Sequence, residues 1–130
     1  MNRTPGNFVC RTLVAFSLLT LPILAAPAPA MAQAAFNGTW SVLIITNRGS
    51  CDRAYRYPVR VMNGRVSYAG AADFDVNGQV ARNGAVRVTV SRGSQRASGF
   101  GRLAGNSGSG TWRGQGAGAC SGNWTAERRG

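Results

Sequence analysis

From Tyr55 to Val61, large apolar side chains alternate with arginine and proline, and the run closes on Met62 and then Asn63-Gly64. Successive side chains on a strand point to opposite faces. Tyr55, Tyr57, Val59 and Val61 therefore share one face, and Arg56, Pro58 and Arg60 share the other. Asn-Gly tolerates the positive φ values of a type I′ turn, the two-residue connection whose twist matches paired strands. Folding the chain back about that turn sets Val61 opposite Val66 and Val59 opposite Tyr68. The same register sets Arg60 opposite Ser67 and Arg65 opposite Met62. Both apolar pairs fall on one face, so turn chemistry and hydrophobic pattern demand one register; a slip by one residue would turn the apolar set to water. The segment from Ala54 to Tyr68 is a hairpin with one face bound for a core.

The same alternation recurs downstream, broken by Gly or Asn-Gly. Thr39–Thr46 predicts a strand whose run Val42-Leu43-Ile44-Ile45 is apolar on both faces, so part of its outer face should be covered. Phe74 and Val76 mark a short strand, and Ala85–Ser91 carries Val86, Val88 and Val90 inward. Gln95–Leu103, Ser109–Arg113 and Ser121–Arg128 complete the set. Asn77-Gly78 and Asn83-Gly84 are turn candidates, and no window carries a helical 3.6 period. The expectation is an all-β fold: a small antiparallel up-and-down meander of about eight strands closed into a barrel. Closure removes the sheet edges that Val-rich strands otherwise expose to aggregation. A two-sheet sandwich is the alternative reading of the same strands.

Residues 1–32 differ in composition. Arg3 and Arg11 supply a positive start, Thr12–Ala26 is an almost unbroken apolar run, and Ala30-Met31-Ala32 fits an A-x-A cleavage pattern before Gln33. The run falls short of the ~20 residues that span a bilayer, and Cys10 precedes it, which does not suit a lipoprotein anchor. Residues 1–32 read as a secretory signal peptide and 33–130 as a single β-barrel domain, periplasmic or secreted, with no transmembrane segment in the mature chain. That domain keeps Cys51 and Cys120, and an even pair in an exported domain reads as a disulfide. In an eight-stranded meander the first and seventh loops emerge at the same end, so Cys51 and Cys120 would staple the seam between first and last strands.

Trp40, Trp112 and Trp124 each follow a glycine by two residues: Gly38-Thr39-Trp40, Gly110-Thr111-Trp112 and Gly122-Asn123-Trp124. On a strand, residues two apart share a face, and small beside large is how a narrow barrel fills its interior. The three Trp read as core aromatics, with Gly99 and Gly101 making room on a neighbouring strand. Three indoles inside strands this short should leave little lumen for a small ligand.

Gly38-Thr39-Trp40 on the first strand of a secreted β-meander resembles the G-x-W opening of calycin-type barrels, the lipocalins and avidins. A long ligand-holding barrel and a C-terminal helix, the other lipocalin features, are not visible. The stretch from Gly38-Thr39-Trp40 through Cys51–Arg60 to Cys120-Ser121-Gly122-Asn123-Trp124 also resembles small exported proteins of Gram-negative bacteria. That second resemblance implies a location rather than an activity.

Composition narrows the function. The chain has no His, so no imidazole base and no His metal ligand. Asp73-Phe74-Asp75-Val76-Asn77-Gly78 matches the first half of an EF-hand loop, but the acid required at position twelve falls on Gly84. It reads instead as a strand ending in an Asn-Gly turn, so no metal site and no cofactor are expected. Asp73 and Asp75 lack anything to tune one of them as an acid, and the Ser and Thr residues lack a base. The expectation is a protein that is not an enzyme.

All fifteen cationic side chains are arginine, against four acids, for a net charge of +11, or +9 without Arg3 and Arg11. Arg56, Arg60 and Arg65 share the outer face of the hairpin, and Arg87, Arg96, Arg102 and Arg113 fall on outer positions of later strands. The planar guanidinium suits phosphate, sulfate and carboxylate groups. The expected function is an exported binding module that contacts anionic envelope components (lipopolysaccharide, lipid headgroups or anionic polysaccharide) through Arg56, Arg60 and Arg65. Export argues against nucleic acid as the partner. The alternative is a proteinaceous inhibitor or interaction partner of a secreted enzyme (a secreted protein partner), using disulfide-braced loops at one barrel end.

Overall fold

The computed structural model describes residues 6, 14–24, 34–115 and 119–130. Arg3, Cys10, Arg11, the cleavage motif Ala30-Met31-Ala32 and Gln33 lie outside the described residues. Among the described residues, 14–24 are exposed and no helix is long and apolar enough to cross a membrane.

Eight strands follow in order: β1 (Gly38–Arg48), β2 (Ala54–Met62), β3 (Arg65–Tyr68), β4 (Asp75–Val80), β5 (Ala85–Arg92), β6 (Gln95–Ala104), β7 (Ser107–Gln115) and β8 (Ser121–Arg128). Each pairs antiparallel with its chain neighbour, and β1 pairs with β8, so the sheet is a closed barrel rather than a sandwich. The hairpin adopts the register that its sequence demands: Val59 faces Tyr68, Arg60 faces Ser67, Val61 faces Val66 and Met62 faces Arg65. Asn63 and Gly64 take φ values of 50° and 81°, as a type I′ turn requires.

Asn77-Gly78 does not turn the chain. It lies inside β4, where Gly78 pairs with Val66 on one side and Val88 on the other. Val76 and Val80 are buried on either side of it, so the period-two pattern runs through the dipeptide and overrides its turn preference. A Cβ at Gly78 would approach Val88 Cγ2 to 2.5 Å and the Arg87 carbonyl to 2.7 Å, so the glycine admits a neighbouring strand. The turn falls instead at Asn83-Gly84, where the Asn83 side-chain oxygen accepts a bond from the Ala85 N–H at 3.0 Å.

The disulfide joins Cys51, in the β1–β2 loop, to Cys120, just before β8, with 6.1 Å between their Cα atoms. It therefore staples the β1–β8 seam, the last contact the meander makes when it closes. The outward residues Leu43 and Ile45 of β1 are half-buried. They are flanked by Arg56 and Ala54 of β2 and by Thr125 and Asn123 of β8.

Candidate functional site

The two ends of the barrel are packed differently. At the end where β1 begins and β8 finishes, Trp40, Val61, Val80, Leu103 and Ala126 form a solid floor. Phe36, just ahead of β1, packs against this floor, and its carbonyl accepts the Trp40 indole N–H at 2.9 Å. Arg128 locks the floor. Period two along β8 places Trp124, Ala126 and Arg128 on one face, so this cation points inward. Its guanidinium lies 5.0 Å from the centre of the Trp40 ring and donates to the carbonyls of Asn37 (2.8 Å), Ala35 (2.9 Å) and Gly105 (2.9 Å). The Nε atom is buried without a partner. Three backbone carbonyls and an aromatic face thus hold the charge, which has no carboxylate within ion-pair distance among the described residues.

Above the floor the barrel is hollow. A cavity of about 460 Å³ extends toward the opposite end, within the range of about 300–1,000 Å³ typical of small-molecule sites. The expectation of little lumen is therefore corrected, and the reason is where the indoles lie. Trp40 is part of the floor, at 1% exposure. Trp124 lies flat against the glycine wall of β6 and β7; a Cβ at Gly101 would come within 2.5 Å of Trp124 Cζ2, and one at Gly110 within 2.7 Å of Cε2. Trp112, half-buried, faces Gly122 across the β7–β8 pair and donates to the Ile45 carbonyl at 2.9 Å. The rings line the wall instead of filling the axis. Val86, Val88 and Val90 of the adjacent strand β5, with Val66 of β3, line more of the cavity with short side chains that do not reach across it.

The cavity wall is mostly apolar, with Thr46, Ser50, Asp52, Arg92, Gln95 and Ser98 as its polar members, and its indole donors are occupied. Besides Trp40 and Trp112, the Trp124 N–H donates to the Phe100 carbonyl at 3.2 Å. A guest in this space meets aliphatic and aromatic surface and no free indole N–H.

At the open end four aromatic rings cluster. Phe74 stacks on Tyr57 at 6.1 Å and meets Tyr55 at 5.7 Å and Tyr68 at 5.6 Å. The Tyr68 hydroxyl accepts the Ala72 N–H at 3.3 Å, tying the β3–β4 loop over the rim. Burial pushes the Tyr57 phenol up to about 12, and the neighbouring Tyr55 adds to the shift. Arg92 continues the inward row of Val86, Val88 and Val90 by two residues, and its guanidinium sits 5.1 Å from the centre of the Phe74 ring. It lines the cavity, as do Gln95 opposite it and Asp52, the one acid in the lining. Reading β5 as ending at Ser91 hid this residue; extending the Val-x-Val-x-Val alternation one step would have found it.

Arg56, Arg60 and Arg65 lie on the outer face and are exposed, away from the cavity lining. Arg56 donates to the Ser41 hydroxyl at 2.9 Å. The single ion pair among the described residues joins Arg129 and Glu127 at 2.9 Å, so these three arginines have no carboxylate partner there. Further round, Phe100 is half-exposed on the outside of β6 with Arg87 5.8 Å from its ring centre. Asp73 and Asp75 are exposed, and no group of three or more His, Cys, Asp or Glu residues comes together among the described residues.

No protein-family model, curated protein or solved structure matches this chain.

Proposed function

We propose that this protein is an exported binding module that takes a small apolar ligand into its barrel. The observation that carries the reading is the hollow end of the lumen: a 460 Å³ space walled by Val, Trp and Tyr side chains, with all three indole N–H groups already bonded to backbone carbonyls. An apolar guest leaves no indole donor orphaned there, whereas a polar guest would give up hydrogen bonds to water at about 1–3 kcal/mol per group. The G-x-W resemblance to calycin-type barrels agrees with such a role. Export rests on the leader-like residues 1–32 and agrees with the disulfide; the mature product should start at Gln33, which mass spectrometry of the secreted or periplasmic protein checks.

The test is a titration with N-phenyl-1-naphthylamine, an uncharged apolar dye that brightens in dry surroundings. Saturable binding is expected, with quenching or transfer from Trp112 and Trp124. Ala97→Phe places a ring in the lumen beside Val90 and should abolish binding while leaving the fold intact. Equal binding by Ala97→Phe, or none by the native protein, would reject the lumen as the site.

A second reading rests on the outer face. Arg56, Arg60 and Arg65 have no acid partner among the described residues, so their charge is available to lipopolysaccharide, lipid headgroups or anionic polysaccharide. Each exposed contact is weak and screened, so retention on a heparin-like resin should fall steeply with salt. Replacing all three by Gln should reduce that retention without altering stability; unchanged retention would make the face a solvated surface and nothing more.

A further inference from the structure

We propose that the rim of the barrel selects an anionic head group, so that the ligand is a single-chain amphiphile with a carboxylate, sulfate or phosphate at one end. This rests on the lumen being the binding site. The observation is the placement of Arg92. Inward positions along β5 are Val86, Val88 and Val90 up to the mouth, where the row ends on a guanidinium 5.1 Å from the centre of the Phe74 ring. Phe74 is itself packed against Tyr55, Tyr57 and Tyr68, so the arginine rests on an aromatic platform that limits where its head can go. Stacking leaves the edge of the guanidinium, with its N–H donors, available to a planar anion. No carboxylate lies within ion-pair distance of Arg92 among the described residues.

The other groups at the mouth decide the sign of the selection. Gln95, directly opposite Arg92, and Ser50, also in the lining, are neutral and can donate to an anion; the Thr46 hydroxyl is neutral too, but its proton is already given to the Asp52 carbonyl. Asp52 is the one acid in the lining and is exposed on the β1–β2 loop; its backbone carbonyl already accepts the Thr46 hydroxyl at 2.6 Å. The charge in excess over this acid comes from the protein as a whole, whose field is strongly positive. An apolar chain in the lumen would thus bring its end to a rim that holds one cation, one exposed acid and the neutral donors of Gln95 and Ser50, within a strongly positive field. The strand rise of about 3.3 Å per residue along the six steps from Trp40 to Thr46, at a barrel tilt near 40°, gives a depth of about 15 Å for that chain.

The experiment displaces bound N-phenyl-1-naphthylamine with dodecanoate, dodecyl sulfate, dodecyl phosphate, dodecanol and dodecyltrimethylammonium, each below its micelle concentration. These share one tail and differ in head charge. The anions should bind more tightly than dodecanol by up to about fivefold, the upper range for one exposed ion pair, and the cation more weakly than either. Comparing the three anions identifies which oxyanion fits the rim. Arg92→Gln should erase the advantage of the anions while leaving dodecanol unchanged, and Arg92→Lys should keep part of it. The advantage should shrink at high salt. Equal affinity for dodecanol and the anions, an advantage that survives Arg92→Gln, or tightest binding of the cation would overturn the head-group selection while leaving the apolar lumen standing. Failure of the dye and of every dodecyl compound to bind would overturn both.

Discussion

Gly99 and Gly101 lie two residues apart on β6, face the same way, and should respond to Ala in opposite directions. Neither has a positive φ, so a side chain brings no backbone penalty at either position. At Gly101 a Cβ would press on the Ser109 carbonyl, approach Trp124 Cζ2 to 2.5 Å and reach Gly110 Cα at 2.7 Å. Two of these neighbours are backbone of β7, and they cannot retreat without loosening the β6–β7 ladder. Overpacking of this kind costs about 1–3 kcal/mol, and the backbone contacts put Gly101→Ala at the upper end. At Gly99 the nearest atom is Trp124 Nε1 at 3.7 Å, an ordinary contact. There Ala restricts the unfolded chain and contributes about 0.5–1 kcal/mol of stability. In a domain of this size each kcal/mol moves the midpoint by about 4–8 °C, so Gly101→Ala should melt about 10–20 °C lower and Gly99→Ala a few degrees higher. Thermal unfolding followed by circular dichroism, with the disulfide intact, reads both. Equal shifts for the two variants would refute the reading of β6 and β7 as a wall pressed against the Trp124 ring.

Reducing the Cys51–Cys120 bond, which spans 69 positions, should lower stability by about 4 kcal/mol in the chain-entropy account, measured by urea unfolding with and without dithiothreitol. A loss below about 1 kcal/mol would mean that the seam holds without it. Arg128→Met removes three bonds to backbone carbonyls and the contact with Trp40, and should destabilise the protein by about 3 kcal/mol or more; a neutral result would show that the floor is held by packing alone. Tyr57 gives an alkaline limit. Its folded pKa, about 12, lies above the unfolded value of 10.0, so the folded state holds the proton more tightly. Its contribution is complete below pH 10 and is lost as pH rises toward 12. Tyr57→Phe should flatten the fall in stability across that window, as read by chemical unfolding at stepped pH.

The hairpin was fully legible in the sequence because two independent local rules coincide there. The Asn63-Gly64 turn sets the pairing, and the Tyr-x-Tyr-x-Val-x-Val alternation sets the face, so a slip by one residue buries arginine and a slip by two breaks the turn. The disulfide was legible for a topological reason: a meander of eight strands brings its first and seventh loops to one end whatever its side chains are. Where local rules conflicted, the sequence was ambiguous. Asn77-Gly78 carries a turn signal inside a strand pattern, and only the pairing of Gly78 between Val66 and Val88 shows that the strand prevailed.

Period two in the sequence by itself determined which residues of this protein face the interior, and hence the arginine-studded outside, because strand alternation is a property of the backbone. That the sheet closes into a barrel rather than a sandwich was decided by the pairing of β1 with β8. The alternation rule, carried to the last residue of β5 and of β8, places Arg92 and Arg128 on the inward-facing rows, with Arg92 exposed at the rim. It does not say that one cation is clamped by three carbonyls in a closed floor while the other stands over a ring at an open mouth. Whether three indoles fill the lumen or line it was likewise decided by tertiary structure. Interior volume depends on the direction each ring takes relative to its neighbours. Here bare glycines of β6 and β7 draw Trp124 flat against the wall, while the lining valines of β3 and β5 are too short to close the space. Facing is set residue by residue along the chain, but a cavity exists only between strands, through contacts that no single strand contains.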